Sequence, residues 1–253
     1  MKKICLLVLA GAGALFANVS HAGTNFAARV VAYRPGINFV PGFTNAETVL
    51  GDISRINPFS DPVEPFNPPY GPGQILSIGE GGSVTIQFAQ PVRNNPRNQF
   101  GVDFMIFGNS GFIITNDFDP NTFEWIGIPA TDGSLLGANP GVTRVSVSRD
   151  GWRFYELVGA PTVDVLCPTD GAGDPTLPPN PALTAADFAG ATMADVRAVY
   201  DGAAGGAGYD ISSARDSKGR RVPLSFIRFV RVEVLSGKAE VDAFSGVTCK
   251  GPY

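Results

Sequence analysis

Residues 143–157 constrain the fold more than any other stretch, because they read as a β-hairpin. Thr143-Arg144-Val145-Ser146-Val147-Ser148 alternates polar and apolar residues, Asp150-Gly151 carries turn chemistry, and Trp152 to Leu157 returns. Alternation with a period of two places one set of side chains on a buried face and the other toward water. A sheet built this way is antiparallel and buried on one side. Ala28 to Tyr33 and Ser83-Val84-Thr85-Ile86-Gln87-Phe88 fit the same pattern. Val102 to Phe107 is apolar apart from Asp103, so it is expected to be a central strand covered on both faces. Phe226 to Leu235 is the longest β-branched and aromatic run, and Ala239 to Val247 reads as the closing strand. The 31 glycines and 21 prolines favour many turns over long helices, and 44% apolar residues exclude a disordered chain. The pattern predicts a mainly β protein, an antiparallel β-sandwich with long Pro/Gly-rich loops.

Three irregular regions separate the strands. Pro58 to Gly73 carries Phe59, Phe66 and Tyr70, and those aromatics favour a loop packed onto the body over a linker. Gly159 to Pro181 is rich in Pro, Gly and Asp and holds Cys167. Thr184 to Tyr200 is the helical candidate, with Thr192-Met193-Ala194-Asp195 resembling a capping box. The glycine-rich run Gly202 to Gly208 follows the helix and ends it. A phosphate-binding loop needs the reverse order, with a helix N-terminus facing the anion.

The N-terminus reads as a secretory signal spanning residues 1–22. Lys2 and Lys3 precede the apolar run Ile4 to Ala17, and Ser20-His21-Ala22 supplies a cleavage site. The run is too short to span a bilayer. About 230 residues remain, expected to form a single β-sandwich domain over 23–253. Cleavage removes His21, the chain's one histidine, and Lys2 and Lys3 but no acid, so the formal charge moves from −4 to −6. Without histidine, a Ser-His-Asp triad, a Cys-His pair and a His-based zinc site are excluded within one chain. The acidic balance argues against nucleic acid. The mature chain keeps Cys167 and Cys249, which in an exported protein are expected to pair as a disulfide.

Two acidic features could hold a metal. Asn116-Asp117-Phe118-Asp119-Pro120-Asn121 opens like a calcium loop, with Asp117, Asp119 and Asn121 in alternation. No glycine follows, and Ile128 occupies the position where such a loop places glutamate, so a polar turn with Asx caps is the better reading. Asp242 interrupts the closing strand. Under strict alternation it shares a face with Phe244, so it must be rim-exposed, hydrogen-bonded or metal-bound. Hydrogen bonding to backbone N–H groups is the commonest solution and a structural calcium is the second. Trp125 and Trp152 could stack on sugar rings, but Trp152 is expected to pack inward as a core anchor. Paired carboxylates for glycoside hydrolysis are recognised only by geometry.

Two segments resemble discoidin-like, galactose-binding-type jelly rolls. Val145 to Trp152 is similar to their V-x-V-S-x-D-G-x-x-W hairpin, and Phe226-Ile227-Arg228-Phe229-Val230-Arg231-Val232 to their R-Y-I-R-I strand. The chain more closely resembles a family of bacterial exported cell-surface proteins, many of which carry a PEP-CTERM sorting tail. The shared blocks include Pro58-Phe59 through Pro69, Ile78 to Thr85, Gly101 to Asn109, Asp187 to Gly190, Gly205 to Asp210 and Val241 to Phe244. The resemblance implies a jelly-roll β-sandwich without enzymatic activity. In the discoidin-like group an acid on the closing strand often helps hold a structural calcium, and Asp242 matches that position loosely. The chain ends Cys249-Lys250-Gly251-Pro252-Tyr253 without the sorting tail, which leaves envelope anchoring unsupported.

The expectation is an exported binding module at the surface or in the matrix, with an extracellular glycan or an envelope protein as partner. A structural envelope protein without a small ligand is the alternative, and a hydrolase using two carboxylates is the third reading.

Overall fold

The computed structural model describes residues 24–136 and 141–248. The expected signal segment and Cys249 lie outside the described residues. In chain order the strands begin with β1 (Ala27–Arg34), β2 (Leu76–Gly79), β3 (Ser83–Arg93) and β4 (Phe104–Phe107). A series of short strands follows: β5 (Gly111–Phe112), β6 (Phe118–Asp119), β7 (Glu124–Trp125), β8 (Ala130–Thr131) and β9 (Leu135–Leu136). Next come β10 (Val142–Ser148), β11 (Tyr155–Leu157), β12 (Ala191–Thr192), helix α1 (Met193–Tyr200), β13 (Ala207–Tyr209) and β14 (Ala214–Arg215). The chain closes with β15 (Phe226–Ser236), β16 (Lys238–Val241) and β17 (Ala243–Gly246).

The protein is mainly β, and its named strands all pair antiparallel. Six strands form one sheet in the order β1-β3-β15-β10-β11-β14, and three form another in the order β13-β4-β17. The alternation foreseen in β3, β10 and β15 turns Val84, Ile86, Val145, Val147, Val230 and Val232 to one side, where they share a core with Phe104, Ile106 and Phe244. Phe104 stacks on Tyr209 at a centroid distance of 5.0 Å and meets Phe88 edge-on at 6.3 Å. β4 is covered on both faces as its composition demands. Phe104 and Ile106 point into the main core, while Met105 and Phe107 enter a second cluster with Ile53, Val102 and Ala243. A further apolar cluster lies beneath the loops, where Phe112, Phe188, Val196 and Tyr200 meet.

Four features differ from the sequence reading. The closing segment is not one strand. It breaks at Asp242, so that β16 pairs with β2 and β17 pairs with β4. Strict alternation is lost there, and both sides of the break are buried. The helical candidate divides into a 3-10 turn at Ala185–Phe188, strand β12 and α1, because Gly190 turns the chain at φ +76°. The capping box does form, with Thr192 N–H donating to Asp195 Oδ2 at 2.9 Å.

The β10–β11 turn is wider than two residues. Ser148 Oγ accepts from Gly151 N–H, and Asp150 Oδ1 accepts from the N–H groups of Trp152 and Arg153. These bonds form a broad loop, and Trp152 sits on it 90% exposed instead of in the core. The loop at 58–73 packs only in part: Phe66 joins the cluster around Phe112, whereas Phe59 stays outside against Tyr70 at 6.0 Å. The glycines of the Ile78–Ser83 block have a steric role. A Cβ on Gly79 would lie 1.9 Å from the Ile37 carbonyl oxygen, so only glycine admits that backbone crossing.

Candidate functional site

The segment between β5 and β8 leaves the body as a short hairpin. β6 pairs with β7, placing Phe118 opposite Trp125 and Asp119 opposite Glu124. Asn116 fastens its base. The Asn116 Nδ2 donates to the carbonyls of Ile126 and Ile128 at 3.1 Å each, and its Oδ1 accepts from Ala130 N–H at 2.8 Å. The tip is set by an Asx turn in which Asp119 Oδ1 accepts from Asn121 N–H at 2.8 Å. That bond holds the Asp119 carboxyl below the usual carboxylate range.

The hairpin carries aromatic rings into solvent. Phe118 lies 5.1 Å from Trp125 and 6.3 Å from Phe123, edge-on in both cases. Phe123 is 80% exposed, with Phe118 and Trp125 at 43% and 39%. Ile126 and Ile128 extend the apolar surface. Phe123 also adopts φ +58°, in the left-handed region that a bulky L-residue enters at a cost of about 1–2 kcal/mol. A strained backbone that delivers an apolar ring to water is a feature of recognition loops.

Asp117, Asp119 and Asn121 therefore lie on this hairpin, and the polar-turn reading describes them. Asp242 is elsewhere, 1% exposed at the β16–β17 break. Its Oδ2 accepts from Ser54 N–H at 2.9 Å and its Oδ1 from Ser54 Oγ at 2.6 Å. Burial pushes its carboxyl up to about 7 against the Ser54 bonds. The two acidic features do not meet, and among the described residues no three His, Cys, Asp or Glu side chains gather around a common point. The backbone hydrogen bond foreseen for Asp242 is present.

Two other aspartates have carboxyls raised by burial. Asp103, immediately before β4, accepts from the N–H groups of Asn95 and Ile211 and from Asn98 Nδ2, each at 2.9 Å. Burial raises it to about 6. Asp164 adopts φ +63° and accepts from Asn109 and Ser110 N–H at 2.8 and 2.7 Å, with burial raising it to about 7. Nothing in the sequence singled out Asp164, since its role depends on a left-handed turn.

Beside Asp164 a cleft of about 360 Å³ opens between Pro161, Leu166, Cys167, Pro181, Leu183 and Gly206. As a free thiol, Cys167 is lifted by burial to about 12, which would keep it protonated and a poor nucleophile. Among the described residues Cys167 has no disulfide partner, and its expected mate Cys249 lies outside them. A second cleft of about 280 Å³ is lined by Gln90, Val92, Arg93, Asn98 and Val247. No carboxylate lines either cleft, so neither presents the acid pair that glycoside hydrolysis needs.

No protein-family model matches the chain, and no curated protein matches it. Among the described residues, no helix is long and apolar enough to cross a membrane.

Proposed function

We propose that this chain is an exported, non-enzymatic jelly-roll module that binds glycans through the β6–β7 hairpin. One observation carries the reading: Phe118, Phe123 and Trp125 stand exposed on a hairpin fixed by Asn116, with Glu124 and Asn121 beside them. Apolar C–H faces of a sugar ring pack on such aromatic surfaces, and neighbouring carboxylate and amide groups take its hydroxyls. The signal-like N-terminus and the resemblance to exported cell-surface proteins support the location. A glycan array followed by calorimetry on the best ligand tests it. Trp125→Ala should weaken binding by about 2 kcal/mol, roughly 30-fold in Kd, with an unchanged melting temperature. Absence of any glycan ligand, or full affinity in Trp125→Ala, would refute the assignment.

The exposure of Ile126 and Ile128 favours a second reading, in which the same hairpin docks on an envelope protein. Retention on isolated envelopes would then depend on Ile128→Ser as strongly as on Trp125→Ala. A sugar stacked on the indole is indifferent to Ile128.

A further inference from the structure

The outward face of the six-stranded sheet collects arginine in a chain whose net charge is −4. Directly opposed residues of antiparallel strands share a face, so the register places Arg34, Ser83, Glu233 and Arg144 in one row across four strands. The next row on that side runs through Thr85, Arg231, Ser146 and Glu156, with Thr85 and Ser146 buried, and the one after it joins Arg29 to Gln87. Buried rows containing Val84, Ile86, Val230 and Val232 alternate with these and face the core.

Arg144 is neutralised by Glu233 at 3.0 Å. Arg29, Arg34 and Arg231 form no ion pair among the described residues. Arg231 is held for use: its guanidinium carbon lies 3.8 Å from the Phe154 ring centre, and its Nε donates to Thr85 Oγ1 at 3.1 Å. Stacking and one bond fix the plane while the two terminal nitrogens keep their donors for another acceptor.

We infer that this face binds an acidic polysaccharide, independently of the aromatic hairpin. Neighbouring strands are about 4.8 Å apart, so Arg231 stands about 10 Å from the arginines of β1. Charges spread in this way do not converge on a single small anion. They match a polymer that repeats a carboxylate or sulfate along its length. The hydroxyl of Ser83 and the amide of Gln87, both half-buried, lie between the cations and suit sugar hydroxyl groups. Duplex DNA is a poorer match, because it carries a charge every 1.7 Å or so, far denser than arginines about 10 Å apart can answer.

Affinity electrophoresis of the purified chain through gels containing polygalacturonate, dextran sulfate or neutral dextran tests the inference, with duplex DNA as competitor. At least one acidic polymer should retard the protein and neutral dextran should not. Retardation should vanish near 1 M salt, where the Debye length is about 3 Å. Arg231→Gln should weaken the interaction about tenfold, as expected for loss of a charge-assisted bond. The double variant Arg29→Gln/Arg34→Gln should also weaken it, and being on an exposed edge strand it keeps the test separate from folding. Trp125→Ala should leave it unchanged, which separates this face from the hairpin. Equal retardation by neutral dextran, none by either acidic polymer, tighter binding of DNA, or full binding by both arginine variants would overturn it.

Discussion

Replacing Asp242 by asparagine should stabilise the protein at pH 8 and do almost nothing at pH 4. The carboxyl is buried where the chain passes from β16 to β17, and it holds Ser54 N–H and Oγ at 2.9 and 2.6 Å. Its folded pKa of about 7 stands above the ordinary 3.8, chiefly through burial. Between those values the folded state binds a proton that the unfolded state has released. Stability therefore falls as pH rises through this window and is level on either side of it. About three pH units at 1.36 kcal/mol each set a ceiling of about 4 kcal/mol. An asparagine keeps the volume, its Oδ1 can accept from Ser54 N–H, and its amide can donate to Ser54 Oγ. Asp242→Asn should thus exceed the parent by about 1–4 kcal/mol at pH 8 and lie within about 1 kcal/mol of it at pH 4. Urea titrations at both pH values measure this directly. A variant less stable than the parent at pH 8, or an offset equal at both pH values, would show that the buried carboxyl is not carrying the raised pKa.

Asp103 and Asp164 are raised for the same reason, so thermal scans of the parent should give a higher melting temperature at pH 5 than at pH 8. Asp150, Asp187 and Asp216 are lowered by the hydrogen bonds they accept, so their contribution is present above about pH 4 and lost only as pH falls further. Phe123→Gly should raise stability by about 1 kcal/mol in calorimetry, because glycine accepts the left-handed φ without strain. Trp152→Ala should change stability by no more than about 0.5 kcal/mol, whereas an inward-packed tryptophan would cost several. Cys167 should resist maleimide in the native protein and, if bridged to Cys249, should label after denaturation only when a reductant is present. Labelling without reductant would exclude the bridge. N-terminal sequencing of exported protein should begin at Gly23.

The strands that read most clearly were those with one apolar and one polar face. Ser83 to Phe88 and Thr143 to Ser148 alternate because Val84, Ile86, Val145 and Val147 enter the core, while the polar residues between them lie on the opposite side, where Thr85, Ser146 and Ser148 are themselves buried. The doubly covered β4 was legible from the opposite sign, an apolar run broken by Asp103 alone. Reading failed where local bonds override pattern. The hydroxyl of Ser148 and the carboxylate of Asp150 bind four N–H groups between them, which widens a turn that the Asp-Gly pair alone suggests is tight. That widening moves Trp152 out of the returning strand. Asp242 was visible as an anomaly, yet the break it marks depends on Ser54, far away in sequence, and on the main-chain bond from Asp242 N–H to the Phe107 carbonyl.

The hairpin illustrates why acidic spacing was a weaker guide than the aromatics between the acids. Asp117, Asp119 and Asn121 drew attention as oxygen donors, but Asp119 is occupied in closing the turn on Asn121. The residues that alternate with them, and Phe123 beyond, point to the function proposed for the loop. A glycine at 123 would relieve the backbone, and a polar residue there would relieve the exposure. The chain has neither, and among the described residues the one aromatic ring beside it is Phe118, at 6.3 Å. Folding alone does not account for an apolar ring kept strained and 80% exposed. A surface that covers Phe123 and Trp125 together would account for both, and Asn116 holds the two rings in the geometry such a surface would meet.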